Sequence, residues 1–238
     1  MIRLPAVQTA IPGTQPDLCF PPYVATVTRS PQLPLVVLRE TLTEKGGPVF
    51  GHSLIRENDN DLTMQHQREA LGERIFVHGR VLDEDGRAVQ GALIEVWQAN
   101  AAGRYRHKVD GYDAPLDPNF SGGGRLLTND EGRYFFKTIK PGPYPWGNHH
   151  NAWRPAHIHF SIFGAGILSR LVTQMYFPGD PLQPIDPIFN SIPDEGARQR
   201  LVSRLDMESS QSNYALAYSF DIVLRGSQET PFEEIRKR

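Results

Sequence analysis

His157-Ile158-His159 stands in an alternating run, Ala156 to Phe163 (AHIHFSIF), that reads as a β-strand. Side chains alternate across a strand, so both imidazoles leave the same face, spaced to occupy adjacent positions on one metal ion. Packing is the competing account, although two buried histidines without a metal would each need their own hydrogen-bond partners. His149 and His150 are rival ligands, but neighbouring residues of an extended chain face apart, and Gly147-Asn148 marks a loop. We expect them at the surface or behind the ligands. A facial-triad iron site would want a carboxylate close behind the histidine pair, and none lies between His159 and Asp180. Two tyrosines are nearer to hand. Tyr105 lies in Gly103-Arg104-Tyr105-Arg106-His107-Lys108 and Tyr144 in Lys140-Pro141-Gly142-Pro143-Tyr144-Pro145-Trp146. Prolines on both sides of Tyr144 hold its backbone extended. Either tyrosine alone reads first as a core residue. Both beside the histidine pair make ferric iron a sensible hypothesis: phenolate is a hard anionic donor, and a trivalent cation lowers the phenol pKa enough to deprotonate it.

Other chemistries find no foothold. There is no GxSxG elbow, no HExxH and no Gly-Lys pair for a phosphate loop. Gly122-Gly123-Gly124 lacks a preceding strand and a following helix and is expected to be a loop. The single cysteine, Cys19, stands in a Pro-rich stretch; it excludes an intrachain disulfide or a CxxC site and suits a reducing, cytoplasmic setting.

The elements that must position these residues are short and β-rich. Twenty prolines and 21 glycines break the chain throughout. Between them Arg74–Leu82, Ala92–Gln98, Arg133–Ile139, Ala156–Phe163, Arg170–Phe177 and Ala215–Leu224 read as strands. In the second, Leu93, Glu95 and Trp97 share the face opposite Ile94 and Val96. Only Asp194–Leu205 reads as helical, with Leu201, Val202 and Leu205 on one face. The expected fold is an all-β sandwich of mostly antiparallel strands, with long loops and one short helix. Residues 1–71 carry no sustained period. They read as an extended arm, packed on residues 72–238 or on a partner, because Leu35-Val36-Val37-Leu38 needs burial.

Composition agrees with a packed domain: 39% of the 238 residues are hydrophobic and 22% charged, enough for a sizeable core. Twenty-five basic against 27 acidic residues leave a net charge of −2, so no footprint for nucleic acid or anionic membrane follows. The most apolar stretch, Ile162 to Val172, is cut by Ser169 and Arg170 and is too short to span a bilayer.

Three segments then become specific together. They are Glu95-Val96-Trp97-Gln98-Ala99-Asn100 with Gly103 to His107, Asp117-Pro118-Asn119-Phe120, and Thr138 to Trp146 followed by Trp153-Arg154-Pro155-Ala156-His157-Ile158-His159-Phe160. This pattern resembles the intradiol ring-cleavage dioxygenases over residues 72–228. The resemblance implies that Tyr105, Tyr144, His157 and His159 hold non-haem Fe(III), with Tyr144 and His159 axial and a hydroxide in the fifth position. It implies that Arg154 and Gln174 face the substrate and oxygen. Trp97, Trp146 and Ile188 would line the pocket, core packing being an equal reading for each, and Tyr23 would lie near a substrate carboxylate. The reaction implied is insertion of both O2 atoms into protocatechuate, giving 3-carboxy-cis,cis-muconate in the β-ketoadipate route. A homologous α chain, lacking the ligands, is the implied partner in a hetero-oligomer. A relative acting on catechol or hydroxyquinol and a non-catalytic binding module on the same sandwich remain the alternatives.

Overall fold

The chain folds by burying one side of alternating strands. In the computed structural model, which describes residues 8, 10–36, 55–148, 150, 153–163 and 170–232, β1 (Arg74–Leu82) sends Ile75, Val77 and Val81 inward, all fully buried. β4 (Arg133–Ile139) pairs antiparallel with β1 and adds Tyr134 and Phe136 to the same face. On the other side of β1 lie β10 (Ala215–Ser219) and β11 (Ile222–Val223), both parallel to it, and β9 (Arg204–Gln211) closes the edge antiparallel to β10.

The second sheet runs β3 (Gly123–Leu127), β2 (Leu93–Trp97), β7 (His157–Phe163), β8 (Leu171–Tyr176), antiparallel throughout. Its inner face presents Ile94, Val96, Ile158, Phe160, Ile162, Leu171 and Met175, which join the inner face of the first sheet in one apolar cluster. Aromatic edges meet between the layers, with Phe160 5.9 Å from both Tyr134 and Phe136. The expected β-sandwich is present. The first sheet is mixed, because a crossover rather than a hairpin brings β10 beside β1.

Several local expectations are corrected. The helix read over Asp194–Leu205 is only α3, Glu195–Gln199, capped by the Asp194 carboxylate on Ala197 N at 2.6 Å. Beyond it Leu201 O accepts from Tyr176 N (2.8 Å) and Ser203 N donates to Tyr176 O (2.9 Å), so bonding to β8 replaces the next helical turn. Leu205 then lies half-exposed in β9. Gly122, at φ +79°, stays in the loop, but Gly123 and Gly124 begin β3: Gly124 lies so close to Leu62 and to Asp59 O that a Cβ would clash at 2.5 and 2.7 Å. The single strand read over Ala215–Leu224 breaks at Phe220-Asp221. Two further short helices, α1 (Val24–Arg29) and α2 (Pro187–Asn190), carry no apolar period long enough to read.

Before β1, Leu62 is fully buried in the core and Asp61 bridges Lys137 on β4 at 2.7 Å. Leu35 and Val36, expected to be covered, are 48% and 82% exposed in the single chain, because no described element lies over them; Val37 and Leu38 lie outside the described residues. Among the described residues no helix is long and apolar enough to cross a membrane.

Gly79 on β1 is the tightest point of the first sheet. The Phe220 carbonyl, which accepts the Tyr134 hydroxyl, lies where a Cβ would be 1.9 Å away. Gly79→Ala must push the β10–β11 turn outward. It is expected to cost about 3 kcal/mol and to lower Tm by roughly 6–12 °C, read by calorimetry.

Candidate metal centre

The outer face of the second sheet carries the chemistry. Burial of Ile158, Phe160 and Ile162 in the sandwich forces His157 and His159 to the opposite side of β7. Register then assigns their neighbours: Trp97 and Gln174 flank His159, and Tyr176 pairs with His157. Trp97 lies flat on His159, ring centroids 4.7 Å apart and planes within 3°. These rows are covered by loops rather than water, which is why every residue of β8 is buried.

Two loops bring the tyrosines over this face. In the first, the Asn100 side chain accepts from Ala102 N and Arg104 N, both at 2.9 Å, and the Asp110 carboxylate accepts from Tyr105 N at 2.7 Å. In the second, β5 (Tyr144–Pro145) pairs with β6 (Trp153–Arg154), and Tyr144 stands directly opposite Arg154. The loops touch backbone to backbone. Gly103 (φ +78°) abuts Pro143 O, and Gly142 N donates to Asn100 O at 2.9 Å. A side chain at either glycine would hold the loops apart.

The result is a closed circuit of four rings. Centroids are separated by 4.8 Å from His157 to His159, 6.4 Å from His159 to Tyr105, 5.2 Å from Tyr105 to Tyr144, and 5.5 Å from Tyr144 back to His157. Tyr144 Oη lies 3.4 Å from His157 Nε2. His157 Nδ1 is 2.7 Å from Pro155 O, which can only accept, so Nδ1 carries the proton and Nε2 turns its lone pair inward. Burial holds both imidazoles well below the usual histidine pKa; nearby Arg154 adds to this for each, and His157 does so for His159. Burial, and then the Tyr144 phenol, push Tyr105 well above its ordinary value, and its buried hydroxyl has no hydrogen-bond partner. An orphaned buried oxygen beside two neutral imidazoles fits a cation better than a closed hydrogen-bond network.

The donor set selects that cation. Among the described residues no group of three or more His, Cys, Asp or Glu could hold a metal, so a two-histidine, one-carboxylate triad has no counterpart there. Two hard phenolic oxygens with two imidazole nitrogens fit a trivalent ion such as Fe(III).

Arg154 closes one side. It is 2% exposed, and Asp186, wholly buried, grips its Nε at 3.2 Å and Nη2 at 2.9 Å. Nη2 also reaches Gln174 Oε1 (2.8 Å) and Tyr176 Oη (3.0 Å). Nη1 faces the four rings, 3.2 Å from His157 Nε2 and 3.5 Å from Tyr144 Oη. Burial opposes the guanidinium charge, but Asp186 and then the Tyr176 and Tyr144 hydroxyls outweigh it and hold the pKa well above its ordinary value.

The remaining sequence candidates take these places. Trp146 lies under Arg154, 5.4 Å from ring to guanidinium carbon, and meets Tyr23 edge-on at 4.9 Å. Ile188 is buried in α2, its N–H donated to Asp186. Asp186, Tyr176 and Asp110 were not singled out by the sequence. A fully buried arginine demands a carboxylate, and Asp186 before Pro187 carries a helix-capping signature that could have revealed it. His149 lies outside the described residues, while His150 and Cys19 are exposed.

Comparison with known proteins identifies the family. A sequence-family model described as Dioxygenase matches residues 45–226, and one described as Protocatechuate 3,4-dioxygenase beta subunit N terminal matches residues 11–41. The chain is 57% identical over 222 residues to the protocatechuate 3,4-dioxygenase beta chain of Burkholderia cepacia, covering 92% of this chain and 94% of that one. It is 31% identical to the protocatechuate 3,4-dioxygenase alpha chain of Pseudomonas putida, over 84% of this chain and 98% of that one. Among solved structures it resembles 3-chlorocatechol 1,2-dioxygenase from Rhodococcus opacus 1CP, with TM-score 0.56 and 26% identity over 74% of this chain and 69% of that one.

Because the loop contact at Gly103 holds the two tyrosines together, Gly103→Ala should separate them: its Cβ would lie 2.1 Å from Pro143 O. The expected result is a sharp fall in Fe(III) bound per chain at a destabilisation of about 3 kcal/mol. Gly86→Ala, at φ +76° with nothing within 4 Å of its Cβ, is the control and should keep full metal uptake.

Proposed function

This chain belongs to the intradiol ring-cleavage dioxygenase family, and on that premise we propose that it is the metal-holding β chain of a protocatechuate 3,4-dioxygenase. The observation that carries this reading is the closed circuit of Tyr105, Tyr144, His157 and His159 with Arg154 aimed into it. These four side chains would hold non-haem Fe(III), the metal on which the family depends. When bound, the ion supplies a Lewis-acid centre at which a catechol chelates through both hydroxyls and becomes reactive toward O2. The overall conversion, protocatechuate plus O2 to 3-carboxy-cis,cis-muconate, conserves every atom and needs no external reductant.

The chain's own residues have separate tasks. Tyr144 Oη, beside Arg154 Nη1, is placed to take up a catechol proton. Arg154 stabilises negative charge that develops on the opening ring, a role in which one donor is worth about 3 kcal/mol. Gln174 Oε1 accepts from Arg154 Nη2 and so helps to hold the arginine in place. Trp146 and Tyr23 form an aromatic wall, with Tyr23 toward the substrate carboxylate; Trp97 buttresses His159, and Ile188 closes the floor beside Asp186.

Residues 1–71 serve assembly and residues 72–238 catalysis in this reading. Exposed Val24, Val27, Leu33, Leu35 and Val36 support a partner over the N-terminal region, and a homologous α chain is the partner we assign. It would complete the pocket.

Two tests follow. Iron-loaded protein should be red-brown, with a broad visible band from phenolate-to-Fe(III) charge transfer that shifts when protocatechuate is added without oxygen. Tyr105→Phe should weaken the band and reduce iron retention; a colourless, iron-replete wild type would refute the tyrosinate centre. The second concerns Arg154. Replacing Arg154→Leu alone strands the Asp186 carboxylate, at a cost of about 3–5 kcal/mol, so the informative variant is Arg154→Leu with Asp186→Asn. Iron content should stay near that of wild type while kcat falls about 100-fold or more. Loss of iron instead would make Arg154 a structural anchor.

A further inference from the structure

We infer that Tyr176 is a positioning residue for turnover, its hydroxyl acting through Arg154. The inference rests on the proposed role of Arg154 and goes beyond it. It starts from the allocation of hydrogen bonds. Of the five guanidinium N–H groups, the one on Nε and the two on Nη2 point away from the four rings, toward Asp186, Gln174 and Tyr176. Only Nη1 points into the centre.

The far side is therefore an aiming device. Asp186 grips the Nε–Nη2 edge with both oxygens, which fixes the guanidinium plane. A carboxylate alone leaves the fork free to slide with its partner. Tyr176 Oη removes that freedom: it stands 3.0 Å from Arg154 Nη2, 3.0 Å from Gln174 Oε1 and 2.9 Å from Asp186 Oδ2. The phenol oxygen thus accepts from Nη2 while its one proton goes to either Gln174 Oε1 or Asp186 Oδ2, the two acceptors that Nη2 also uses. Its own position is fixed independently. The ring packs 5.2 Å from Phe189 in a second apolar cluster, and its backbone is bonded to Leu201 and Ser203.

Asp186 is anchored in turn. Besides Arg154 Nε, its Oδ1 accepts from Ile188 N at 3.4 Å, the first turn of α2. The Tyr176 ring also packs 5.8 Å from the His157 ring, a contact that a phenylalanine would keep, whereas its hydroxyl meets the guanidinium.

A double-mutant cycle on the iron-loaded αβ enzyme tests this. Tyr176→Phe keeps the ring and removes the hydroxyl. It should leave iron content and the resting visible band unchanged, leave KM for protocatechuate within about twofold, and lower kcat about tenfold. In the Arg154→Leu, Asp186→Asn background the same change should have no further effect on kcat. Tyr134→Phe, which removes another buried phenol's hydrogen bond inside the sandwich core, should lower Tm and leave kcat alone. The inference is overturned if Tyr176→Phe lowers kcat by the same factor in both backgrounds, if it leaves kcat unchanged in the wild type, or if it loses iron. Unaltered turnover in the Arg154→Leu, Asp186→Asn variant would instead overturn the role of Arg154 itself.

Discussion

Burial of Ile158, Phe160 and Ile162 in the sandwich core is the constraint on which the site depends. A strand cannot bury alternate residues without turning the others to the far side, so the apolar core dictates the direction of His157 and His159. A one-residue slip of β7 would bury the imidazoles and expose Ile158, Phe160 and Ile162. Each of those side chains is worth about 1.5–3 kcal/mol when buried, so the slip is heavily disfavoured. The same register sets Trp97, Gln174 and Tyr176 around the histidines. Stability of the fold and direction of the donors are one constraint, not two.

The second organising feature is electrostatic. Arg154 is a full charge in a water-poor place, and it is tolerable there because Asp186 meets it with two oxygens and Gln174 and Tyr176 share the remaining Nη2 N–H. The pair is close to neutral as a whole, so it adds little net charge to the centre. What remains toward the rings is a fixed pair of N–H dipoles on Nη1, placed before any substrate arrives. In the proposed centre, two phenolates and a hydroxide likewise balance a trivalent ion. Local neutrality is thus achieved twice, once by protein charges and once by metal and ligands.

Much of this was legible in sequence, and the limits have physical causes. Strand alternation is local, so the common face of His157 and His159 and the opposite faces of Trp97 and Val96 could be read directly. The tyrosine loops could be recognised, but their meeting could not, since it depends on Gly103 and Gly142 allowing backbones nearly 40 residues apart to touch. The helix read to Leu205 stopped at Gln199 because Leu201 and Ser203 find better bonds on β8, a tertiary preference that no local period encodes. Gly124 read as loop because a glycine in a strand has no side chain to report its neighbour, Leu62. Asp186 was missed for a related reason: its partner is 32 residues away, and only the burial of Arg154 makes the carboxylate necessary.

In the proposed centre two inequivalent phenolates, Tyr105 and Tyr144, share one Fe(III) with His157 and His159. Resonance Raman spectroscopy of the iron-loaded enzyme, excited within its visible band, reads those bonds directly. Ring-deuterated tyrosine should shift every enhanced phenolate mode, the modes should resolve into two sets, and Tyr105→Phe should abolish one set while leaving the other. Absence of tyrosinate modes, or a single set that survives Tyr105→Phe unchanged, would contradict the account.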